Sequence, residues 1–285
     1  MVDGRQNRKI GFIIQARMKS TRLPGKILQP IPLNDGKPLL LWILDELKKS
    51  KHKPEIWVAT SKNKENDVLA KFCKVNDILC FRGEEEDVLS RFLSITEDRQ
   101  FDVVVRLTAD NPLIDISILD ECIEHHIQKK NDYTSTKNLP LGMNLEVISA
   151  KTLLSMKEGS LEDAEREHVT LYIKNTDGYK RENYTPMVPK ELKKLRLTVD
   201  YPSDLLVIST LLGLYNDEKG ITGVSLVEKV FKKYPFIFEV NLSNVQKKQF
   251  NNKEKEIGHA VKVLRSLELF SAAGILEQYE EKNSL

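Results

Sequence analysis

The chain has 285 residues, 40% apolar and 30% charged, with a formal net charge of +2. This is an ordinary globular balance, long enough for one large domain or for a domain of about 200–250 residues with an appendage. So small a net charge makes a whole-chain electrostatic case for nucleic acid weak, and any phosphate binding has to come from a local cluster of basic groups. No stretch approaches the roughly 18 consecutive apolar residues of a membrane span. The apolar run Ile10 to Ile14, behind a polar and basic start, is too short for a signal-peptide core. The expectations are a cytoplasmic protein, no membrane and no nucleic-acid partner. Cys73, Cys80 and Cys122 lack metal-ligand spacing and read as buried free thiols.

In chain order, residues 10–16 have a strand pattern and run into a loop rich in basic, Gly and Pro residues. Residues 39–49 follow with Leu40, Ile43, Leu44 and Leu47 at helical spacing. Then come a strand at 55–59, a helix at 65–75, a short strand at 78–81 and a helix at 87–97. Residues 102–107 contain Val103-Val104-Val105, a β-branched run typical of a buried parallel strand, and stop at Thr108-Ala109-Asp110-Asn111-Pro112. This alternation predicts an α/β fold with an open, mostly parallel sheet, whose ligands bind beyond the carboxyl ends of the strands. The second half is less regular. Short strands at 133–136 and 145–149 flank a Pro-Gly turn from Pro140 to Gly142, a helix covers 161–175, and a strand covers 195–199. A helix at 205–215 follows, with Ser203 as its cap and Asp204 at its positive end. Residues 243–256 are strongly polar, and 260–269 and 272–280 have the spacing of two helices. The division expected is a domain over 1–242 and a polar linker with a helical tail over 243–285.

Two loops carry the chemistry. Arg17, Lys19, Arg22 and Lys26 crowd one turn with Gly25 among them, and like charges so close repel unless an anion joins them. A polyphosphate is the natural anion: Arg offers a planar fork, Lys a point charge, and Gly lets the backbone approach closely. The pattern is not a Walker A loop. Asp110, at the end of its strand, is placed to hold a divalent metal that bridges to phosphate. Asp200, after the 195–199 strand, is a candidate second ligand. Arg166 and His168 are two residues apart, so they share a site only if the helix starts near Glu167. His52, His125 and His126 lack evident partners and read as surface residues.

The segment Ala16-Arg17-Met18-Lys19-Ser20-Thr21-Arg22-Leu23-Pro24-Gly25-Lys26 resembles the signature loop of the cytidylyltransferases that activate acidic sugars. CMP-KDO synthetase and acylneuraminate cytidylyltransferase are members, and the spore coat polysaccharide biosynthesis branch is the most similar. Gly83-Glu84-Glu85-Glu86-Asp87-Val88-Leu89-Ser90-Arg91, Val105-Arg106-Leu107-Thr108-Ala109-Asp110, Arg166-Glu167-His168-Val169-Thr170 and Arg196-Leu197-Thr198-Val199-Asp200 match later motifs in the same order.

The resemblance implies a Rossmann-like nucleotide-diphospho-sugar transferase fold and transfer of CMP from CTP to a small acidic acceptor, with Mg2+ as cofactor. It implies nucleotide contacts from Ala16, Arg17, Ser20, Arg22, Gly25 and Lys26, of which Arg17 and Lys26, with Asp110, would be catalytic. It places Asp110 and Asp200 on the metal, and Arg106, Asn144, Glu146, Arg166 and His168 at the acceptor. A homodimer is the expected assembly. Two departures stand out: Asn111 where the branch often has Cys, and Asn144 where it often has an acid, which Asn cannot replace as a base or a counter-charge. Two other readings remain open: a metal-dependent glycosyltransferase, although no Asp-x-Asp lies at the 108–112 strand end, and a non-catalytic nucleotide-binding module.

Overall fold

A computed structural model describes residues 8–33, 36–215, 222–245 and 253–283. The chain divides into two units, Met1–Leu242 and Ser243–Leu285.

The first unit begins with β1 (Ile10–Gln15), a short ribbon of β2 (Pro30–Ile31) and β3 (Lys37–Pro38), and α1 (Leu39–Leu47). β4 (Glu55–Ser61), α2 (Asp67–Val75), β5 (Leu79–Gly83), α3 (Val88–Arg99) and β6 (Val103–Thr108) continue the alternation. After them come α4 (Ile116–Lys129), β7 (Tyr133–Thr136), β8 (Glu146–Ser149), α5 (Ala150–Ser155), α6 (Asp163–Glu167), α7 (Leu171–Asn175) and β9 (Arg181–Tyr184). The unit closes with α8 (Pro202–Tyr215) and α9 (Gly223–Lys233).

The main sheet has the strand order β5-β4-β1-β6-β8-β7-β9. β5, β4, β1 and β6 are parallel, β8 runs antiparallel between β6 and β7, and β9 lies parallel to β7. A mostly parallel sheet flanked by helices is the expected α/β class. Alternation along the strands splits the core in two. Phe12, Ile14, Val58, Val103, Val105 and Leu107 face residues of α1, α4, α8 and α9, while Ile13, Ala59, Val104 and Ile148 face α3, α5, Val169 and Ile173. With apolar layers on both faces, the inner strands read as continuous hydrophobic runs.

Local capping sets where the helices begin. Asp87 accepts the Ser90 N–H at 2.9 Å to start α3, and Asp115 accepts that of Ile118 at 3.1 Å to start α4.

Several expectations fail. The helix over 161–175 is two short helices, broken where Val169 adopts a left-handed φ of 51°. That conformation is costly for a β-branched residue. Burial of Val169 and the reach of the Thr170 hydroxyl to Glu146 at 3.1 Å override the helical spacing. Residues 195–199 form no strand of the sheet, only a bridge from Arg196 to Leu141. Gly142 (φ 99°) permits that approach, because a Cβ there would lie 2.5 Å from the Thr198 nitrogen. The helix expected over 205–215 starts at Pro202, so Ser203 sits inside it rather than capping it. The spacing rules missed α4, β9 and α9.

In the second unit, α10 (Lys253–Ser266) and α11 (Phe270–Asn283) form a hairpin, with Arg265 forked onto Glu277 at 2.9–3.0 Å. α10 starts inside the stretch expected to be polar linker, and residues 246–252 of that stretch lie outside the described ones. No helix among the described residues is long and apolar enough to cross a membrane.

Candidate functional site

The basic loop leaves β1 at the carboxyl end of the sheet and is closed on itself. Ala16 donates its N–H to Ala59 at 3.1 Å, alongside β4, and Gly25 donates to the Met18 carbonyl at 3.0 Å. Gly25 stands at φ 72°, a left-handed turn that sends the chain into a short 3-10 helix and buries Lys26 and Ile27. Within the loop Ser20 accepts the Leu23 N–H at 3.4 Å. A buried Asn66 pins the loop from below: its Oδ1 accepts the Met18 N–H at 2.8 Å, and its amide donates to Ser61 at 2.7 Å.

Lys26 is the centre of the arrangement. Its ammonium donates to Asp110 Oδ2 at 2.9 Å, Asp200 Oδ1 at 3.0 Å and the Val199 carbonyl at 2.6 Å. Asp110 follows β6 directly and accepts the Thr108 hydroxyl at 2.7 Å. Residues 195–200 come alongside through the Val199 N–H, which donates to the Asp110 carbonyl at 2.8 Å. Asp200 meets two more cations, Arg22 at 3.1 Å and Arg196 at 3.2 Å. Burial alone would raise the Asp200 carboxyl, but the Lys26 charge and hydrogen bond, then Arg22 and Arg196, outweigh it and hold the carboxyl below its ordinary value. Arg22 also stacks on Tyr201, 4.6 Å from the ring centre.

Behind Asp200 lies a buried support. Asp204 takes a fork from Arg196 at 2.8 and 3.0 Å, the N–H groups of Asp200 and Tyr201 at 2.9 Å each, and the Asn241 amide at 2.9 Å. Much of the positive charge expected to await a polyphosphate is therefore met by the chain's own carboxylates, including Glu85, 3.6 Å from Arg17. Arg17 and Lys19 remain exposed and Arg22 half-buried.

A second cluster surrounds Glu146, which opens β8 opposite Arg106 of β6. Arg106 donates to Glu146 at 2.6 Å and to the Gln15 side chain at 3.3 Å. The Tyr133 hydroxyl donates to Glu146 at 2.6 Å, the Thr170 hydroxyl at 3.1 Å, and Lys174 forms an ion pair with it. Burial would push the Glu146 carboxyl up; the charges of Arg106 and Lys174 and the hydrogen bonds from Lys174 and Tyr133 bring it down to about 2. So acidic a carboxyl cannot act as a general base near neutral pH.

Of the other expected acceptor residues, His168 touches this cluster through its carbonyl, which accepts the Thr170 hydroxyl at 3.4 Å. Arg166 pairs with Asp87 at 2.8 Å, so that Asp87 caps α3 with one oxygen and holds Arg166 with the other. α6 ends at Glu167 rather than starting there, and His168 follows as its cap residue, with Nε2 3.7 Å from the Glu167 carboxylate. Asn144 is exposed, its amide 3.5 Å from the Pro140 carbonyl, and the Oδ1 of Asn111 is buried without a hydrogen-bond partner.

The histidines read as surface residues are not solitary. His126 is buried and hydrogen-bonds Thr134 at 2.9 Å, His125 lies 2.8 Å from Glu182, and His52 lies 3.4 Å from the Asp120 carbonyl. Cys73 and Cys122 are buried and Cys80 half-buried, all as free thiols.

Sequence reasoning missed Asn66, Gln15, Tyr133, Lys174, Asn241 and the link from Arg196 to Asp204. Only Gln15 left a trace, as a polar residue at the end of an apolar strand.

Comparison with known proteins shows the family. The family model described as cytidylyltransferase matches residues 11–216. The chain is 36% identical over 223 residues to the spore coat polysaccharide biosynthesis protein SpsF of Bacillus subtilis, covering 76% of this chain and 91% of that protein. A solved cytidylyltransferase from Leptospira borgpetersenii superimposes with a TM-score of 0.73 at 31% identity, over 85% of this chain and 100% of the other. CMP:2-keto-3-deoxy-manno-octonic acid synthetase in complex with CTP shares the fold, with a TM-score of 0.53 at 15% identity, over 73% of this chain and 99% of that one. The chain belongs to the cytidylyltransferase family.

Proposed function

We propose that this member of the cytidylyltransferase family transfers CMP from CTP to a small acidic acceptor and releases pyrophosphate. The acceptor is an acidic sugar, or a phosphate or phosphonate, and the product is a precursor of a surface polysaccharide or glycoconjugate. The observation that carries the reading is the convergence of Asp110, Asp200 and the Val199 carbonyl on the Lys26 ammonium, at the carboxyl end of the sheet. Family membership supports CTP as donor, and similarity to the spore coat polysaccharide biosynthesis protein of Bacillus subtilis supports the pathway class.

The donor set suits Mg2+. Two carboxylates and a carbonyl are hard oxygen donors, and all three already turn toward one cation within 3.0 Å. Among the described residues no group of three or more His, Cys, Asp or Glu could hold a metal. Two carboxylates meet the needs of Mg2+, which commonly completes its shell with water and substrate phosphate. Asp110 and Asp200 would hold it, and when bound it neutralises phosphate oxygens during transfer.

The chain's own groups do the rest. Arg17 and Arg22, the more accessible arginines of the loop, meet the triphosphate oxygens. Lys26 places a buried positive charge beside them, where charge builds on the leaving pyrophosphate. An acceptor oxygen attacks the α-phosphorus in line, and the bond to the β-phosphate oxygen breaks with its electrons leaving on pyrophosphate. Positioning supplies most of the acceleration, and no covalent enzyme intermediate is required.

A pyrophosphate-release screen tests this, with four nucleoside triphosphates against sugar acids, sugar phosphates and phosphonates, with and without Mg2+. The expected result is release from CTP with an acidic acceptor and Mg2+. Release from another nucleotide alone, or of a nucleoside diphosphate from a sugar nucleotide, overturns the assignment. The proposed assembly is a homodimer, which sedimentation at micromolar concentration checks.

A further inference from the structure

The Glu146 cluster holds one more positive charge than it needs. Arg106, at 2.6 Å, already neutralises the carboxylate, and the Tyr133 and Thr170 hydroxyls fill more of its acceptor positions. Lys174 nevertheless joins as a second cation, leaving a local excess of +1 from Arg106 and Lys174 against Glu146. The two cations are placed differently: the Arg106 side chain is 17% exposed and also bound to Gln15, whereas that of Lys174 is 43% exposed.

Both ends of Lys174 are fixed. Arg181 donates to the Ile173 carbonyl at 3.3 Å and to the Lys174 carbonyl, which ties down the end of α7. The ammonium lies on Glu146 and 5.5 Å from the Tyr133 ring centre. An ammonium has three donor hydrogens, so one ion pair and one ring contact leave it able to bind an anion. Glu146 pairs with Arg106 near the carboxyl end of β6, the same end of the sheet that presents Asp110.

We propose that Lys174 contacts the anionic group of the acceptor, a carboxylate or phosphate oxygen, and that Glu146 and Arg181 are its positioning residues. Arg106 then serves to hold Glu146 rather than to bind the acceptor. The proposal rests on the cytidylyl-transfer reading for the acceptor's negative charge, but its test reads binding rather than turnover.

Calorimetry of the full chain at low salt uses two probes, methylphosphonate and a 2-keto-3-deoxy sugar acid, with Mg-CTP titrated separately. At least one probe is expected to bind the wild type. Lys174→Ala should weaken that probe about tenfold or more, the value of one charge-assisted hydrogen bond. Lys174→Arg should restore affinity to within about threefold, and CTP affinity should stay unchanged in both. Lys74→Ala, which removes an exposed lysine of α2, beside β5 at the other edge of the sheet, should leave probe binding as in the wild type. Unchanged probe affinity in Lys174→Ala, or no saturable binding of either probe to the wild type, overturns the proposal. Equal losses for Lys174→Ala and Lys74→Ala also overturn it, since they report only general charge. Probe binding without pyrophosphate release from CTP would instead fail the reaction assigned above and leave Lys174 in place.

Discussion

The Lys26 cluster and the Glu146 cluster use the same ingredients in different proportions. Around Lys26, two carboxylates share one buried ammonium, and Arg22 and Arg196 with Asp204 keep the charges even; around Glu146, one carboxylate is shared by two cations. In the proposed reaction the first would exchange positive charge, its oxygens taking a metal ion as well as an ammonium. The second holds an excess of positive charge that only an anion can balance. Under the proposed function, one sheet end would offer a place for a metal with its triphosphate and a place for an acidic group.

The most direct way to break this contrast is to remove the shared ammonium. Lys26→Ala should lower pyrophosphate release about 10³-fold, the scale of losing one electrostatic stabiliser. It should also cost about 1–3 kcal/mol of stability, because buried Asp200 and half-buried Asp110 lose their common partner while Asp200 keeps Arg22 and Arg196. Asp110→Ala should give a similar loss of turnover with a smaller loss of stability, since its side chain is 28% exposed. Wild-type release by either variant would remove the role assigned to the cluster.

Glu146 gives the next largest effect. Its carboxyl sits at about 2 when folded, against an ordinary 4.5. A depressed acid contributes fully above pH 4.5 and loses its contribution as the pH falls through about 2; the amount is roughly 3 kcal/mol. Urea unfolding of wild type and Glu146→Gln should therefore differ at pH 7 and converge toward pH 2. Parallel curves across that range would contradict the ion-pair account.

His126 sets the background in the neighbouring window. Burial pushes its imidazole down from 6.5 to about 4. The unfolded chain takes up a proton at this residue below pH 6.5 while the folded chain resists it down to about 4, so stability falls as the pH drops between them. The loss should reach roughly 2 kcal/mol by pH 5, and His126→Gln should flatten it without touching turnover. The smallest effect belongs to Asn144→Asp. At an exposed position it should move stability by less than about 0.5 kcal/mol, leaving any change in acceptor preference as a pure site effect. A large loss of stability there would mean that Asn144 supports the fold.

Patterns confined to a few neighbouring residues were legible in the chain. Val103-Val104-Val105 announces a buried strand, Arg17 to Lys26 carries the family's signature loop, and Asp110 stands where a strand ends. The misreadings came where distant contacts overrule local spacing. Val169 leaves the helix to be buried while Thr170 reaches Glu146, and the 195–199 segment follows the sheet's end instead of joining it. His126 read as a surface residue because nothing nearby in sequence reveals that Thr134 will close over it.

By itself the sequence determined the α/β class, the order of the main-sheet strands and their helices through β6, and the cytidylyltransferase resemblance. Hydrophobic period and turn chemistry are local properties, and a linear chain displays them. Only the tertiary structure decided which charges meet. Lys26 joins Asp110 across 84 residues and Asp200 across 174, and Glu146 gathers Arg106 and Lys174 from either side of it. Those encounters depend on β1 pairing with β6, on β8 running back against β6, and on a bridge at Leu141 that brings Asp200 home. A charge declares its sign in the sequence, but its partner is chosen by the sheet.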